Sequence, residues 1–212
     1  MEHPGAFREF LTLPLGNLHR VPREIPTEHA VFVEPLAAAC EILNQVRIPT
    51  RAPVAVLGDG KLGLLIGQVL KAHGAEVHQY GHHKDKLRLA ASFDIEVRAG
   101  KKPPVAAYDW VVDATGSSDG LTQAVKMTRP RGTIIMKSTV HGLVKIDSAP
   151  VIVNEITLVG SRCGRFEPAL KLLRGGRVRV DNLISEALPL QQAPLAFRLA
   201  AQPGAMKVLL NG

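Results

Sequence analysis

Gly58-Asp59-Gly60-Lys61-Leu62-Gly63 fits the spacing G-x-G-x-x-G, directly after the apolar run Val54-Ala55-Val56-Leu57. The spacing has a physical logic. Gly58 permits a tight turn, Gly60 lets the backbone approach a pyrophosphate, and Gly63 lets a following helix pack closely on the preceding strand. The first helical turn, at Lys61 and Leu62, adds N–H groups and a partial positive charge that suit phosphate. The run lacks G-K-[ST], which excludes a mononucleotide P-loop. The chemistry implied is the holding of a dinucleotide.

The second strand of such a unit usually ends in an acid that binds the ribose hydroxyls. Here it ends in Gly81, followed by His82-His83-Lys84-Asp85-Lys86. Gly81 leaves room, and His82, His83, Lys84 and Lys86 can surround a 2′-phosphate. NADP(H) is therefore favoured over NAD(H), and Gly81→Asp is expected to reverse the preference. Cys40 and Cys163 are the only cysteines, too few for a disulfide scaffold or a four-cysteine zinc site. Cys40 lies in an apolar stretch expected to be core.

Stepping outward to the elements, short apolar runs alternate with helical stretches from Pro53 onward. Strands are predicted at 54–57, 77–80, 95–97, 109–114, 132–136, 156–160 and 207–210, from apolar runs bounded by turn residues. Helices are predicted at 62–73, 84–93, 121–127, 168–173 and 195–201. Repeated strand–helix alternation implies an α/β fold, a doubly wound parallel sheet covered by helices. Before Pro53, residues 7–15 read as strand and turn, and 30–46 as one apolar helix with Glu34-Pro35 as an awkward interior pair.

The 212 residues carry 26 Lys plus Arg against 19 Asp plus Glu, a formal charge of +7 that suits an anionic partner. No basic block of five occurs and aromatics are only 4 %, so nucleic acid is not expected as a partner. No apolar run approaches the roughly 20 residues of a membrane span. The N-terminus has no secretory signal pattern, so no membrane partner and a cytoplasmic location are expected.

These residues together resemble the medium-chain, zinc-type alcohol dehydrogenases, in the threonine or sorbitol dehydrogenase-like branch. The resemblance rests on Gly5-Ala6-Phe7-Arg8-Glu9-Phe10-Leu11, Glu34-Pro35-Leu36 and the glycine run. Asp113-Ala114-Thr115-Gly116-Ser117, residues 155–161, Pro189-Leu190 and Lys207-Val208-Leu209-Leu210 add to it. It implies a Rossmann domain over 51–175 and a connecting helix over 30–50. It implies remnants of a GroES-like catalytic domain at 1–29 and, returning to that side, at 176–212.

By the same resemblance, Ala114, Thr115 and Gly116 lie over the cofactor crevice. Ser138 and Thr139, with Ser161 and Arg162, approach the nicotinamide, and Lys207 reaches the pyrophosphate. Glu34 matches a carboxylate at the catalytic zinc. The chain opens near the last strands of the GroES-like domain and lacks its Cys and His-Glu ligands, so zinc is expected only where that domain is present. The implied reaction moves a hydride between a secondary alcohol or polyol and NAD(P). The alternative is a non-catalytic NAD(P)-binding module. The apolar edge around 151–153 and 156–160 is expected to join two copies into a homodimer, which Thr157→Pro should weaken.

Overall fold

A computed structural model describes residues 5–100, 103–140 and 142–212. In chain order the elements are α1 (Thr27–Ala30), α2 (Val33–Gln45), β1 (Pro53–Leu57), α3 (Lys61–His73), β2 (Glu76–Tyr80), α4 (Lys84–Ser92), β3 (Glu96–Val97), β4 (Tyr108–Asp113), α5 (Gly120–Met127), β5 (Thr128–Met136), α6 (Ala149–Val153), β6 (Thr157–Gly160), α7 (Phe166–Arg174), β7 (Ile184–Pro189), α8 (Ala193–Ala200) and β8 (Lys207–Asn211). They form two units. Val33–Val178 is one, and the chain up to Phe32 with Arg179–Gly212 is the other.

In the first unit six strands run parallel in the order β3-β2-β1-β4-β5-β6. This is the α/β doubly wound sheet. Its order reverses between β1 and β4, so the loops after those two strands diverge and leave a crevice. Val54, Ala55 and Val56 are fully buried because β1 is a central strand with both faces covered. On α3, Leu64, Leu65, Ile66 and Leu70 are fully buried. Gly74, with φ of +102°, ends that helix in the left-handed conformation glycine adopts most easily.

In the other unit, β7 and β8 make a two-stranded parallel sheet with α8 between them in sequence. Phe7 packs edge-on against Phe197, with ring centroids 5.3 Å apart. Phe10 and Leu15 are both 84 % exposed.

Four expectations change. The helix over 30–46 is interrupted: α1 ends at Ala30 and α2 begins at Val33. Pro35 then stands in a first turn, where its missing N–H costs nothing. Residues 151–153 belong to α6, not to an edge strand. Pro150 presets helical φ there, and that outweighs the β preference of Val-Ile-Val. Residues 7–14 form no strand, because no neighbour pairs with them among the described residues. Conversely β7 was not foreseen: only Ile184 and Leu188 of its six residues carry a strand-like apolar signal.

Candidate dinucleotide site

At the reversal point the ends of β1, β2 and β4 border a cleft of about 720 Å³. Seven of the expected residues line it: Gly58, Gly60, Gly81, His82, His83, Lys86 and Thr115. The glycines behave as their spacing requires. Gly58 has φ of +110°, and a Cβ there would strike the Ala114 carbonyl. A Cβ on Gly63 would strike the Gly58 carbonyl, so only glycine lets α3 lie this close to the loop. Gly60 faces open space, with no atom within 4 Å of a Cβ built on it. It also brings no side-chain acceptor to the first turn of α3, at Lys61 and Leu62, which leaves that end's positive potential available to phosphate. Gln79, fully buried on β2, donates from Nε2 to the Gly58 carbonyl and fixes the loop from beneath.

The room expected above Gly81 is filled. A Cβ built there falls 2.6 Å from both Cβ and Cγ of Asp59. Asp59, between the first two glycines of the run, is 6 % exposed. Its Oδ2 accepts the backbone N–H of His82 at 2.8 Å and of His83 at 2.7 Å. Its Oδ1 lies 2.9 Å from Nδ1 of the His83 ring. Burial raises the Asp59 pKa, but the His83 and His82 donors outweigh it and hold the carboxyl below its ordinary value of 3.8. The premise for favouring NADP(H) is therefore corrected, and Gly81→Asp is not a clean reversal because the new side chain would displace Asp59. Of the basic groups expected here, the His83 ring is committed to Asp59.

The turn after β4 is organised by Asp113, 4 % exposed. Its Oδ1 accepts the N–H and the Oγ1 hydroxyl of Thr115 at 3.0 and 2.8 Å. The Ser138 hydroxyl donates to the same oxygen at 3.1 Å and accepts the Gly116 N–H at 2.8 Å. Ala114 is held by its N–H to the Leu57 carbonyl, which ties this turn to β1. Ser138 thus shapes the crevice and is not among the residues lining it.

Lys137, 7 % exposed, donates to the Ala38 and Arg162 carbonyls at 2.6 and 2.8 Å and to the Ser161 hydroxyl at 3.1 Å. Burial lowers its pKa, and the neighbouring Glu41, Cys163 and Glu34 partly restore it. Ser161 and Arg162 are therefore gathered around a buried ammonium and do not line the cleft; neither does the exposed Thr139. Lys207 begins β8 in the other unit, its Nζ 5.3 Å from the Phe32 ring centroid. Cys40 is buried, with its thiol pushed up to about 11 by burial.

Glu34 is exposed in the first turn of α2, where the helix dipole favours a carboxylate. A zinc ion there needs further ligands. Among the described residues, the one group whose ligand atoms lie close enough to share an ion is Glu76, His78 and Glu96, on β2 and β3. Glu34 is not part of it, so the described residues do not fit a zinc centre at Glu34.

Asp59, Asp113 and Arg98 were not expected as site residues. Asp59 and Asp113 stand inside recognisable motifs, and Asp113 also binds Thr115 two residues on, but the partners that place them in the site, His82, His83 and Ser138, lie 23 to 25 residues away. Arg98 lines the cleft and pairs with Glu96 at 2.7 Å.

Residues 62–175 match a family model described as zinc-binding dehydrogenase. A 2-dehydro-3-deoxy-L-galactonate 5-dehydrogenase of Pseudoalteromonas atlantica is 25 % identical, over 100 % of this chain and 66 % of its own length. A sorbitol dehydrogenase of Halalkalibacterium halodurans is 25 % identical, over 99 % of this chain and 66 % of its own. A Sinorhizobium meliloti 1021 protein, solved bound to NADP, superposes with a TM-score of 0.86 at 24 % identity, over 98 % of this chain and 66 % of its own; that likeness carries the fold. The chain thus spans just under two thirds of the length of these relatives. No helix among the described residues is long and apolar enough to cross a membrane.

Proposed function

The chain belongs to the zinc-binding dehydrogenase family, and from that premise we propose that it is the cofactor-binding portion of an alcohol or polyol dehydrogenase. The reaction of the whole protein is then hydride transfer between a secondary alcohol and NAD(H) or NADP(H). One observation carries the reading. The glycine loop after β1 and the Asp113-organised turn after β4 open on the same cleft at the sheet's reversal point. The polyol and sugar-acid relatives support a small alcohol as substrate. In this reading the chain binds the dinucleotide, seats its pyrophosphate over Gly60 and presents its ring. Residues 1–29 and 176–212 are assigned to the catalytic-domain side, and Ser161, Arg162 and Thr139, after the ends of β5 and β6, to the nicotinamide end of the site. A cytoplasmic location accords with two unpaired cysteines.

Glu34 standing apart from any ligand cluster among the described residues favours a second reading, a binding module without chemistry of its own. Both readings give one expected result. The purified 212-residue chain, supplied with zinc, polyols and either cofactor, shows no turnover. Zinc-dependent, chelator-sensitive oxidation of an alcohol would overturn it.

We also propose a homodimer through β6, the edge strand of the sheet. Leu158 is 39 % exposed there, and Ile152 and Val153 on α6 are 72 % and 79 % exposed. The Ser161 N–H donates to the Met136 carbonyl on β5. Because the N–H groups of a parallel strand alternate in direction, those of Val159 and Thr157 also face β5, and that of Leu158 faces outward. Thr157→Pro would therefore damage the sheet itself. Leu158→Pro removes an outward donor instead. Sedimentation of dilute protein should show a dimer that Leu158→Pro shifts to monomer without loss of the thermal transition. A monomer in the unaltered chain would contradict the proposal.

A further inference from the structure

We infer that Asp59, placed in the glycine loop, is the acid that reads the adenosine ribose, and that it selects NAD(H) against NADP(H). The inference rests on the dinucleotide reading and deepens it. An acid at the end of the second strand ordinarily accepts the ribose hydroxyls. This chain has glycine at that position and an acid at the middle of the first Gly-x-Gly, and the acid takes over the task there. The Asp59 side chain occupies the volume that a side chain on residue 81 would fill. It lines the cleft from there.

The hydrogen bonds show both how the carboxylate is held and what it has left to offer. A carboxylate has about four acceptor sites, two on each oxygen. Oδ2 takes two backbone donors and is filled. Oδ1 takes one, from the His83 ring, and keeps a second site. That site suits a hydroxyl proton of the ribose. A 2′-phosphate has no proton to donate at neutral pH beyond a fraction of its population, and it would meet a like charge that three donors hold ionised.

Two of the nearby cations are engaged: the His83 ring is bonded to Asp59, and a terminal nitrogen of Arg98 pairs with Glu96, while the buried Arg98 Nε has no hydrogen-bond partner among the described residues. Lys86 and His82 also line the cleft and attract any phosphate, and the backbone N–H of His82 is itself one of the donors that fix Asp59 there. Asp59 is the charge whose position is tied to residue 81.

The test is calorimetric titration of the full chain with NADH and NADPH, with 5′-AMP against 2′,5′-ADP to isolate the adenosine half. The unaltered chain should bind NADH at least about tenfold more tightly, the scale of one hydrogen bond to a charged group. Asp59→Asn can keep the fold, its Oδ1 taking the two amides and its Nδ2 donating to His83. It should narrow the NADH-to-NADPH ratio, chiefly through tighter NADPH binding, and 2′,5′-ADP should gain on 5′-AMP in parallel. Equal or tighter NADPH binding by the unaltered chain overturns the inference without any variant. So does an unchanged ratio in a folded Asp59→Asn. Failure of every nucleotide to bind the unaltered chain is a different result, and it overturns the dinucleotide reading together with this one.

Discussion

Gly60→Val should lower dinucleotide affinity at least about 100-fold, equivalent to about 2.7 kcal/mol, and leave the protein folded. The backbone at Gly60 has φ of −73° and ψ of 174°, an extended conformation valine adopts without strain. No atom lies within 4 Å of the new Cβ, so the folded chain has room for it. That same room is where the pyrophosphate must approach the backbone. Loss of the N-cap glycine costs at most about 1 kcal/mol. Titration with thermal melts separates the effects: the melt should move little and the binding isotherm should vanish. Gly58→Val gives the contrast. Its φ of +110° and the Ala114 carbonyl leave no place for a side chain, and the melt itself should collapse. Unchanged affinity in Gly60→Val would show that this loop does not hold the phosphates.

Lys137→Met should destabilise the fold by about 2–5 kcal/mol although it adds no bulk. Methionine nearly matches the lysine stem in volume, so the loss is one of hydrogen bonds. The Ala38 and Arg162 carbonyls and the Ser161 hydroxyl lose their shared donor, and with it the tie between α2 and the ends of β5 and β6. The pH dependence has a definite sign. Burial holds the Lys137 pKa below its ordinary 10.5, so between the folded value and 10.5 the unfolded chain binds more protons. Its contribution to stability is full above 10.5 and is lost as pH falls through the folded value. Chemical denaturation across that range should show stability from this group rising with pH in the unaltered chain, and no such component in Lys137→Met. A midpoint unchanged by the substitution would contradict the role assigned to this amine.

The legible parts of this molecule are those written in local period and local spacing. The strand at 54–57, the helix behind it and the glycine spacing between them are written in neighbouring residues, and their pattern names them, although the Ala114 carbonyl that also confines Gly58 comes from β4's end. Glu34-Pro35 was legible in part: proline fits a first turn, so the helix had to begin just before it. Val151-Ile152-Val153 misled because β-branched composition was weighed above the single preset φ of Pro150. The site's hydrogen-bond centres were not legible. Asp59 meets residues 23 and 24 positions away, Asp113 meets Ser138, and Lys137 meets Ala38 across 99 positions. Such pairings come from sheet order, and local sequence carries no trace of them. Gly81 is the instructive case. Glycine at a strand end reads as vacant space, but here it is glycine because another residue's carboxylate stands over it.

The central claim is that the cleft at the β1–β4 reversal holds a nicotinamide dinucleotide, and equilibrium titration of the purified 212-residue chain tests it most directly. The account predicts saturable binding of one dinucleotide per chain, displaced by ADP-ribose and lost in Gly60→Val. Absence of saturable binding, or binding that Gly60→Val leaves intact, would contradict it.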